Sequence, residues 1–389
     1  MDFRLGERAE EFREEVRAFL AEHLTTEVIE RVHETGTVHD WDFYRAYAAK
    51  GWMAPEWPVE DGGQGRDPFE LTALREELRL AGAPTDGVGT TLLVANTLRV
   101  VGTPEQKAEI LPKVLRGDIV ICLGYTEPDS GSDAAAARTR AVRDGDEWVI
   151  DGQKMFTTLA HESDYVFLLT RTNTDVPKHK GLTMFLVPMD TPGIEIEPVH
   201  TLGGERTNIT FYSGVRVPDS ARVGDVDKGW SVMRVALAFE HGGGFGYEID
   251  RLLRDTVAAL GSEPDGDGPR LVDDPATLER VGEMAVDAEV SRVLSYAALW
   301  DGHTTGVPGP IGSMTKLYSS EALQRWSAEV VDMLAPRALL EHGEAGAAAD
   351  GWPTQVFRHA PVTTIYGGTS EVHRTIVGER ALGLPRAGH

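Results

Sequence analysis

Four stretches of the sequence combine residue types that can do chemistry. The first, GYTEPDSGSDAAAART (124–139), gathers small hydroxyl residues, glycines and acidic residues in a turn. The N–H groups of such a turn can converge on one acceptor, which suits the edge of an anionic or polar cofactor. Ser, Asp, Gly and Pro are equally the residues of a plain hairpin or capping loop, and on composition alone that reading is the stronger. The second, GQKMFTT (152–158), is followed by a strand-like run. Alternation would send Phe156 and Thr158 to one face, an aromatic plate beside a hydroxyl that suits a flat ring. Core packing of Phe156 is the more frequent explanation of such a pattern.

The third stretch is the helix GWSVMRVALAFEHGGGFG (229–246), in which Met233, Leu237 and Glu240 stand at i, i+4 and i+7. A carboxylate on an apolar face is desolvated, its pKa rises, and it can act as a general base. Glu240 and His241 can instead simply end the helix before Gly242 to Gly244, and the two readings balance. The fourth, TIYGGTSEVHRTIVGERALGLPR (364–386), runs a Gly-Gly-Thr-Ser turn into a helix with Val372, Ile376 and Val377 on its inner side. A helix start with free N–H groups attracts anions, although an ordinary capping turn uses the same residues and, taken alone, is the stronger reading. Ser313-Met314-Thr315-Lys316 has the S-x-x-K spacing of serine β-lactamases, but no K-T-G accompanies it and its surroundings read as helix interior.

Other chemistry is excluded. No G-x-G-x-x-G follows a strand, and no P-loop, G-x-S-x-G or H-E-x-x-H occurs. A nucleotide cofactor must therefore be held by something other than a Rossmann turn. The single cysteine, Cys122, rules out an intrachain disulfide and a Cys-rich zinc site, and no metal is expected.

The elements that position these stretches fall into three blocks. In 7–24, Phe12, Val16, Phe19, Leu20 and Leu24 recur at helical spacing, and segments near 40–51, 68–81, 87–101 and 104–116 read alike. A Gly-rich loop over 56–68 interrupts them. From about residue 120 the pattern changes to short runs such as EWVIDGQKMFTT, YVFLLTRT and LTMFLVPM, punctuated by Pro, Gly and Asp. Closely spaced strands over roughly a hundred residues predict a β sandwich or barrel. Helical patterning returns after Gly229, broken by loops over 261–275 and 342–353. The predicted organisation is α+β: an α-helical domain over 1–119, a β domain over 120–225 and an α-helical domain over 226–389.

Across 389 residues, 38 Lys and Arg face 62 Asp and Glu, a formal charge of −24. Such a surface repels phosphate backbones and anionic headgroups, so neither nucleic acid nor membrane is an expected partner. The charged N-terminus lacks a signal-peptide core, and no stretch approaches the roughly 18 apolar residues of a membrane span. A soluble, cytoplasmic protein is expected.

Taken together and in order, TEPDSGSD, DGQKMFTT and GGTSEVHR within a helix–β–helix layout resemble the acyl-CoA dehydrogenase family over nearly the whole chain. The resemblance implies that FAD sits between the β domain and a C-terminal four-helix bundle, usually in a tetramer. It implies a glutamate that takes the α-proton of an acyl-CoA thioester while the β-hydrogen passes to the flavin as hydride. An electron-transfer flavoprotein is the implied acceptor. By position, Tyr125, Thr126, Gly131, Ser132, Phe156, Thr157 and Thr158 would line the flavin, with Ser132 also near substrate. Thr369, Ser370 and Glu371 would contact it near its phosphates, and Arg358 matches an upstream family arginine.

The departures carry information. Many members place the base directly before the G-T of the last motif, where this chain has Gly367. A second branch places it on the helix that here carries Glu240, followed by His241 where that branch has Arg; His241 is thus a substrate-binding candidate. Gly367 would keep the backbone N–H that polarises the thioester carbonyl while leaving space for a branched or bulky acyl group. Relatives with this ending include enzymes of sterol side chains, some of them mixed α2β2 tetramers. The R-x-x-F-G flavin-binding segment is not recognisable between 250 and 285, and the Gly-rich approach to the last motif has become HGEAGAAADGW. The leading expectation is FAD-dependent α,β-dehydrogenation of an acyl-CoA with Glu240 as base. The alternatives are a non-catalytic partner subunit of a mixed tetramer, or a flavin oxidase or monooxygenase on the same fold.

Overall fold

A computed structural model describes residues 4–240, 244–262, 271–305 and 309–385, with the side chains of Glu240 and Thr305 outside the description. The chain begins with six helices: α1 (Glu7–His23), α2 (Thr26–Thr35), α3 (Trp41–Ala49), α4 (Pro68–Ala81), α5 (Asp86–Val101) and α6 (Pro104–Leu115). Their ends are set locally. Asp67 and Glu70 form a capping box with Pro68 at the first helical position, and Gly82 in the left-handed region closes α4. Thr103 and Gln106 do the same for α6. The stripe Phe12, Val16 and Phe19 of α1 is buried, with Phe12 and Phe19 edge-on to Trp52. Arg13 and Arg17 beside it donate to Glu76 and Glu77 of α4.

Eight strands follow: β1 (Ile121–Gly124), β2 (Arg140–Asp144), β3 (Glu147–Lys154), β4 (Tyr165–Arg171), β5 (Leu182–Pro188), β6 (Ile194–His200), β7 (Arg206–Pro218) and β8 (Arg222–Val223). They form one sheet in the order β6-β7-β3-β2-β4-β5-β8, with β1 parallel to β4 off this path. The run YVFLL of β4 is apolar throughout because both faces are covered. Phe167 and Leu169 join the core beneath the N-terminal helices. Val166 and Leu168 pack with Trp148, Phe185, Tyr212 and Val217 on the other face.

The last third comprises α7 (Gly229–Glu240), α8 (Gly246–Gly261), α9 (Pro275–Thr305), α10 (Ile311–Leu334), α11 (Trp352–Thr363) and α12 (Ser370–Ile376). α7 leans on α5 and β5, while α10 packs against α8, α9 and α11. Phe245, Leu252, Met284, Leu323, Trp326 and Val330 fill the bundle. This is the helix–β–helix architecture expected. Over 229–246, α7 spans Gly229–Glu240 and a separate α8 starts at Gly246, in keeping with the reading in which the helix ends before the glycines. The helix α2 was not among the segments expected from the sequence; its short apolar stripe of Val28, Ile29 and Val32 leaves only Val28 buried. Among the described residues, no helix is long and apolar enough to cross a membrane and no metal-ligand cluster occurs.

Candidate active site

The TEPDSGSD turn is anchored from beneath. Glu127 and Ser130 exchange backbone hydrogen bonds at 3.0 and 3.1 Å. The Glu127 carboxylate, 7% exposed, accepts from the N–H of Arg138 at 2.6 Å, from that of Thr139 at 2.9 Å and from Lys154 Nζ at 2.7 Å. Lys154 is fully buried and donates also to the Tyr125 carbonyl at 3.2 Å. Burial pulls the Lys154 ammonium down to about 8, and the charge of Glu127 works against that pull. Burial would raise Glu127, but Lys154 and the two N–H donors outweigh it and hold the carboxylate below its usual range. Arg171 of β4 donates to the carbonyls of Ala135, Ala137 and Lys178. The carbonyls of this turn are thus bound inward. The N–H groups of Thr126, Gly131 and Ser132 hydrogen-bond to none of the described residues, and Gly131 and Ser132 are exposed.

The second stretch departs from the strand expected there. β3 ends at Lys154, and Phe156 has φ +55° and Leu159 φ +65°, so 155–159 is a turn rather than alternating strand. Left-handed backbone at a non-glycine residue costs of order 1 kcal/mol or more and persists only where neighbours impose it. Here fully buried Asn208 imposes it: its carbonyl accepts the Thr157 N–H at 2.9 Å and its Nδ2 donates to the Thr157 carbonyl at 3.1 Å. Thr157 turns inward, its hydroxyl 3.2 Å from that of Thr210. Thr158 meets the Thr207 hydroxyl at 3.1 Å. Phe156 is left 56% exposed, a large aromatic held out to solvent. Met155 N–H donates to the Thr126 carbonyl at 2.9 Å and ties this turn to the first.

The third and fourth stretches meet on α10. Of Glu240 the backbone at the end of α7 is described; its side chain and the whole of His241 lie outside the described residues. Beyond them, the Phe245 N–H donates to Ser319 Oγ at 2.8 Å, and a Cβ on Gly244 would lie 2.7 Å from Thr315 Cγ2. One residue from Thr315, Lys316 Nζ donates to the Gly368 carbonyl at 2.6 Å. His373 Nε2 donates to the Gly367 carbonyl at 3.0 Å. The Phe245 ring is edge-on to Tyr366 at 5.8 Å. Gly367, with φ +63°, has open space where a Cβ would stand, and its N–H bonds to none of the described residues.

α12 begins at a Thr369 cap that accepts the Val372 N–H. Its inner side carries Ser370 and His373, not the expected Val372, Ile376 and Val377, which are half-buried. Polar tethering to the Gly-Gly turn, rather than an apolar stripe, fixes this helix. Ser370 is 5% exposed and its hydroxyl has no partner among the described residues. Ser370, Thr369, Glu371 and Arg374 border a cavity of about 320 Å³. Arg358 donates to Glu341 at 2.7 Å, and its buried Nε lacks a partner among the described residues.

These residues fit a flavin on three counts: an aromatic plate forced outward, a turn whose spare groups are N–H donors, and a buried unpartnered hydroxyl at a helix start. Sequence reasoning missed the residues that make them fit. Lys154 was legible as a lone cation between strand residues, and Lys316 as the tail of the S-x-x-K stretch. Arg171, Asn208 and His373 carried no comparable signal.

Comparison with known proteins agrees. Family models described as the N-terminal, middle and C-terminal domains of acyl-CoA dehydrogenase match residues 6–118, 122–213 and 227–382. The chain is 35% identical to acyl-CoA dehydrogenase FadE26 of Mycobacterium tuberculosis, over 97% of each protein. It superposes on the solved Tcur3481-Tcur3483 steroid ACAD with a TM-score of 0.89 and 35% identity, covering all of both chains. It does so on the ChsE4-ChsE5 complex of M. tuberculosis with a TM-score of 0.89 and 34% identity, again over all of both chains. The chain belongs to the acyl-CoA dehydrogenase family and is an FAD-dependent oxidoreductase acting on acyl-CoA.

Proposed function

We propose that this chain removes the α and β hydrogens of a branched or bulky acyl-CoA, with Glu240 as the α-proton base. The observation that carries this reading is the arrangement around α10. Within little more than one helical turn, Thr315 and Ser319 hold the segment after Glu240 while Lys316 holds the Gly367–Gly368 turn. Gly244 is four residues past Glu240, a span of at most about 14 Å. The segment that follows the base and the turn that carries the candidate carbonyl-binding N–H are thus tied to the same helix, which supports the reading. The free Gly367 N–H polarises the thioester carbonyl and makes the α-proton acidic enough for a carboxylate to take. The open space at the missing Gly367 side chain favours a wide acyl group.

Thr126, Gly131, Ser132, Phe156, Thr158, Thr369, Ser370 and Glu371 would hold FAD, and Arg358 stands close in sequence to the last group. Thr157 supports Phe156 from below. When bound, FAD accepts the β-hydrogen with its electron pair. His241, next to the base in sequence, is the proposed substrate-binding neighbour. Glu240→Gln keeps the flavin and loses at least about a hundredfold in the rate of its reduction by substrate without oxygen. Reduction at the wild-type rate would overturn the assignment.

A mixed tetramer with a second homologous subunit is the assembly favoured here; two of the similar solved structures are named for two different chains, one of them as a complex, which supports a mixed assembly. Native mass measurement of the chain purified alone and with the product of a neighbouring homologous gene tests it. A stable, fully flavinylated homotetramer would refute it. An electron-transfer flavoprotein is the proposed acceptor; fast reoxidation by oxygen would point to an oxidase instead.

A further inference from the structure

The turn that carries Phe156 is reached from the N-terminal helices by a chain of three side chains. Thr37 lies in the connection between α2 and α3, His161 just past the turn, and Asn208 on β7. Thr37 Oγ1 is 3.0 Å from His161 Nε2, and His161 Nδ1 is 3.1 Å from Asn208 Nδ2. Thr37 and Asn208 are buried, and only 14% of the His161 side chain is exposed. The same Asn208 Nδ2 donates to the Thr157 carbonyl at 3.1 Å, and Asn208 Oδ1 accepts from Arg206 Nε at 3.2 Å.

These partners fix the hydrogen on the His161 ring. Arg206 requires the Asn208 amide oxygen and the Thr157 carbonyl requires its nitrogen, so the amide presents N–H to the imidazole. His161 Nδ1 therefore accepts, and Nε2 carries the hydrogen and donates it to Thr37. A second proton, on Nδ1, would set two donors face to face. Relief then requires the ring to leave Asn208 or the amide to turn over, and a turned amide would set its oxygen against the Thr157 carbonyl. The ionisable groups that face the ring are Arg206 of β7, His39 before α3, and Glu162, whose Oε1 is 4.0 Å from Nε2. Burial and then Arg206 hold the His161 pKa below its usual value, against Glu162, so the ring is neutral at pH 7.

We propose that His161 is a positioning residue for flavin binding: its neutral ring, with the hydrogen on Nε2, holds the Asn208 amide and through it the left-handed backbone that presents Phe156. The inference rests on the reading in which Phe156 meets the flavin. It adds that the N-terminal helices support this turn through Thr37, and that the turn loosens when His161 gains a proton.

The test measures flavin dissociation constants of the holoenzyme from about pH 8 to about pH 5 in wild type, His161→Asn and His161→Phe. Asparagine offers an acceptor near the position of Nδ1 and cannot titrate, whereas phenylalanine keeps a ring and strands the Asn208 N–H. At the upper pH His161→Asn should stay within about threefold of wild type. His161→Phe should bind flavin about tenfold more weakly, since a buried donor left unpaired costs roughly 5- to 100-fold. As pH falls, wild type should weaken about tenfold more than His161→Asn. Hydrogen exchange over residues 155–160 with saturating FAD, corrected for the intrinsic effect of pH, should quicken in His161→Phe and in acidified wild type but not in His161→Asn. Parallel pH profiles in wild type and His161→Asn, wild-type affinity in His161→Phe, or unchanged exchange over 155–160 would overturn the proposal. The comparison of wild type with His161→Asn decides without the phenylalanine variant. Unaltered flavin affinity in Phe156→Ala would remove Phe156 from the flavin site alone, and the exchange data would still judge the hold of His161 on the turn.

Discussion

Replacing Lys154 by methionine isolates the interaction that seats the TEPDSGSD turn. Methionine keeps the unbranched stem of the side chain and removes the terminal ammonium, so most of the core beneath the turn stays filled. Glu127 then remains buried with two of its three donors, the N–H groups of Arg138 and Thr139. The Tyr125 carbonyl loses its bond from Lys154. Breaking a buried ion pair on one side costs about 3–5 kcal/mol. The two remaining N–H donors place this case near the lower end, about 3 kcal/mol. That loss falls on the turn rather than on the whole chain, so it should emerge as weaker flavin binding, on the order of a hundredfold in dissociation constant. Flavin release followed by fluorescence on the purified holoenzyme measures it. The double variant Glu127→Gln with Lys154→Met removes the stranded charge and should recover at least half of the loss, a coupling that a double-mutant cycle reads directly. Flavin affinity of Lys154→Met within threefold of wild type, or additive single losses in the double variant, would refute the reasoning.

Other outcomes follow from the same structure. His39 is 6% exposed, with neither ring nitrogen hydrogen-bonded to a described residue, and burial pushes its pKa down to about 4. The neutral ring is favoured by folding, so its contribution is complete above the usual pKa near 6.5 and is lost as pH falls through about 4, roughly 3 kcal/mol in all. Thermal unfolding between pH 7 and 4 should show this loss in wild type and not in His39→Phe; parallel curves would contradict it. Lys316→Met frees the Gly368 carbonyl and should weaken flavin binding about tenfold with little change in the unfolding midpoint, as removal of a hydrogen bond to a charged group implies. Unaltered flavin affinity would show that the turn holds itself.

The three-part layout was legible because each part has its own period: apolar stripes at helical spacing in α1 and α4, and β-branched runs in β4 and β5. The capping boxes at Asp67 and Thr103 were written in adjacent residues, so those helix starts could be read directly. Phe156 was legible as a residue of interest but not in its geometry. Its left-handed backbone is imposed by Asn208, about fifty residues away, and local alternation rules cannot see that constraint. The same holds for α12, whose orientation follows from His373 and Lys316 reaching two carbonyls rather than from its apolar residues.

One habit of this fold has a wider chemical meaning. Buried or half-buried cations and an imidazole take up the carbonyl oxygens of Tyr125, Ala135, Ala137, Gly367 and Gly368. The backbone is thereby sorted by polarity, acceptors facing in and donors facing out. A protein with a formal charge of −24 can in this way attract an anionic ligand largely through backbone N–H groups. The tolerance of such a surface to mutation is inverted: a side chain at the rim that serves only the turn's outline, such as Asp129, can change with small effect, whereas the residues one layer down, which touch no ligand, cannot.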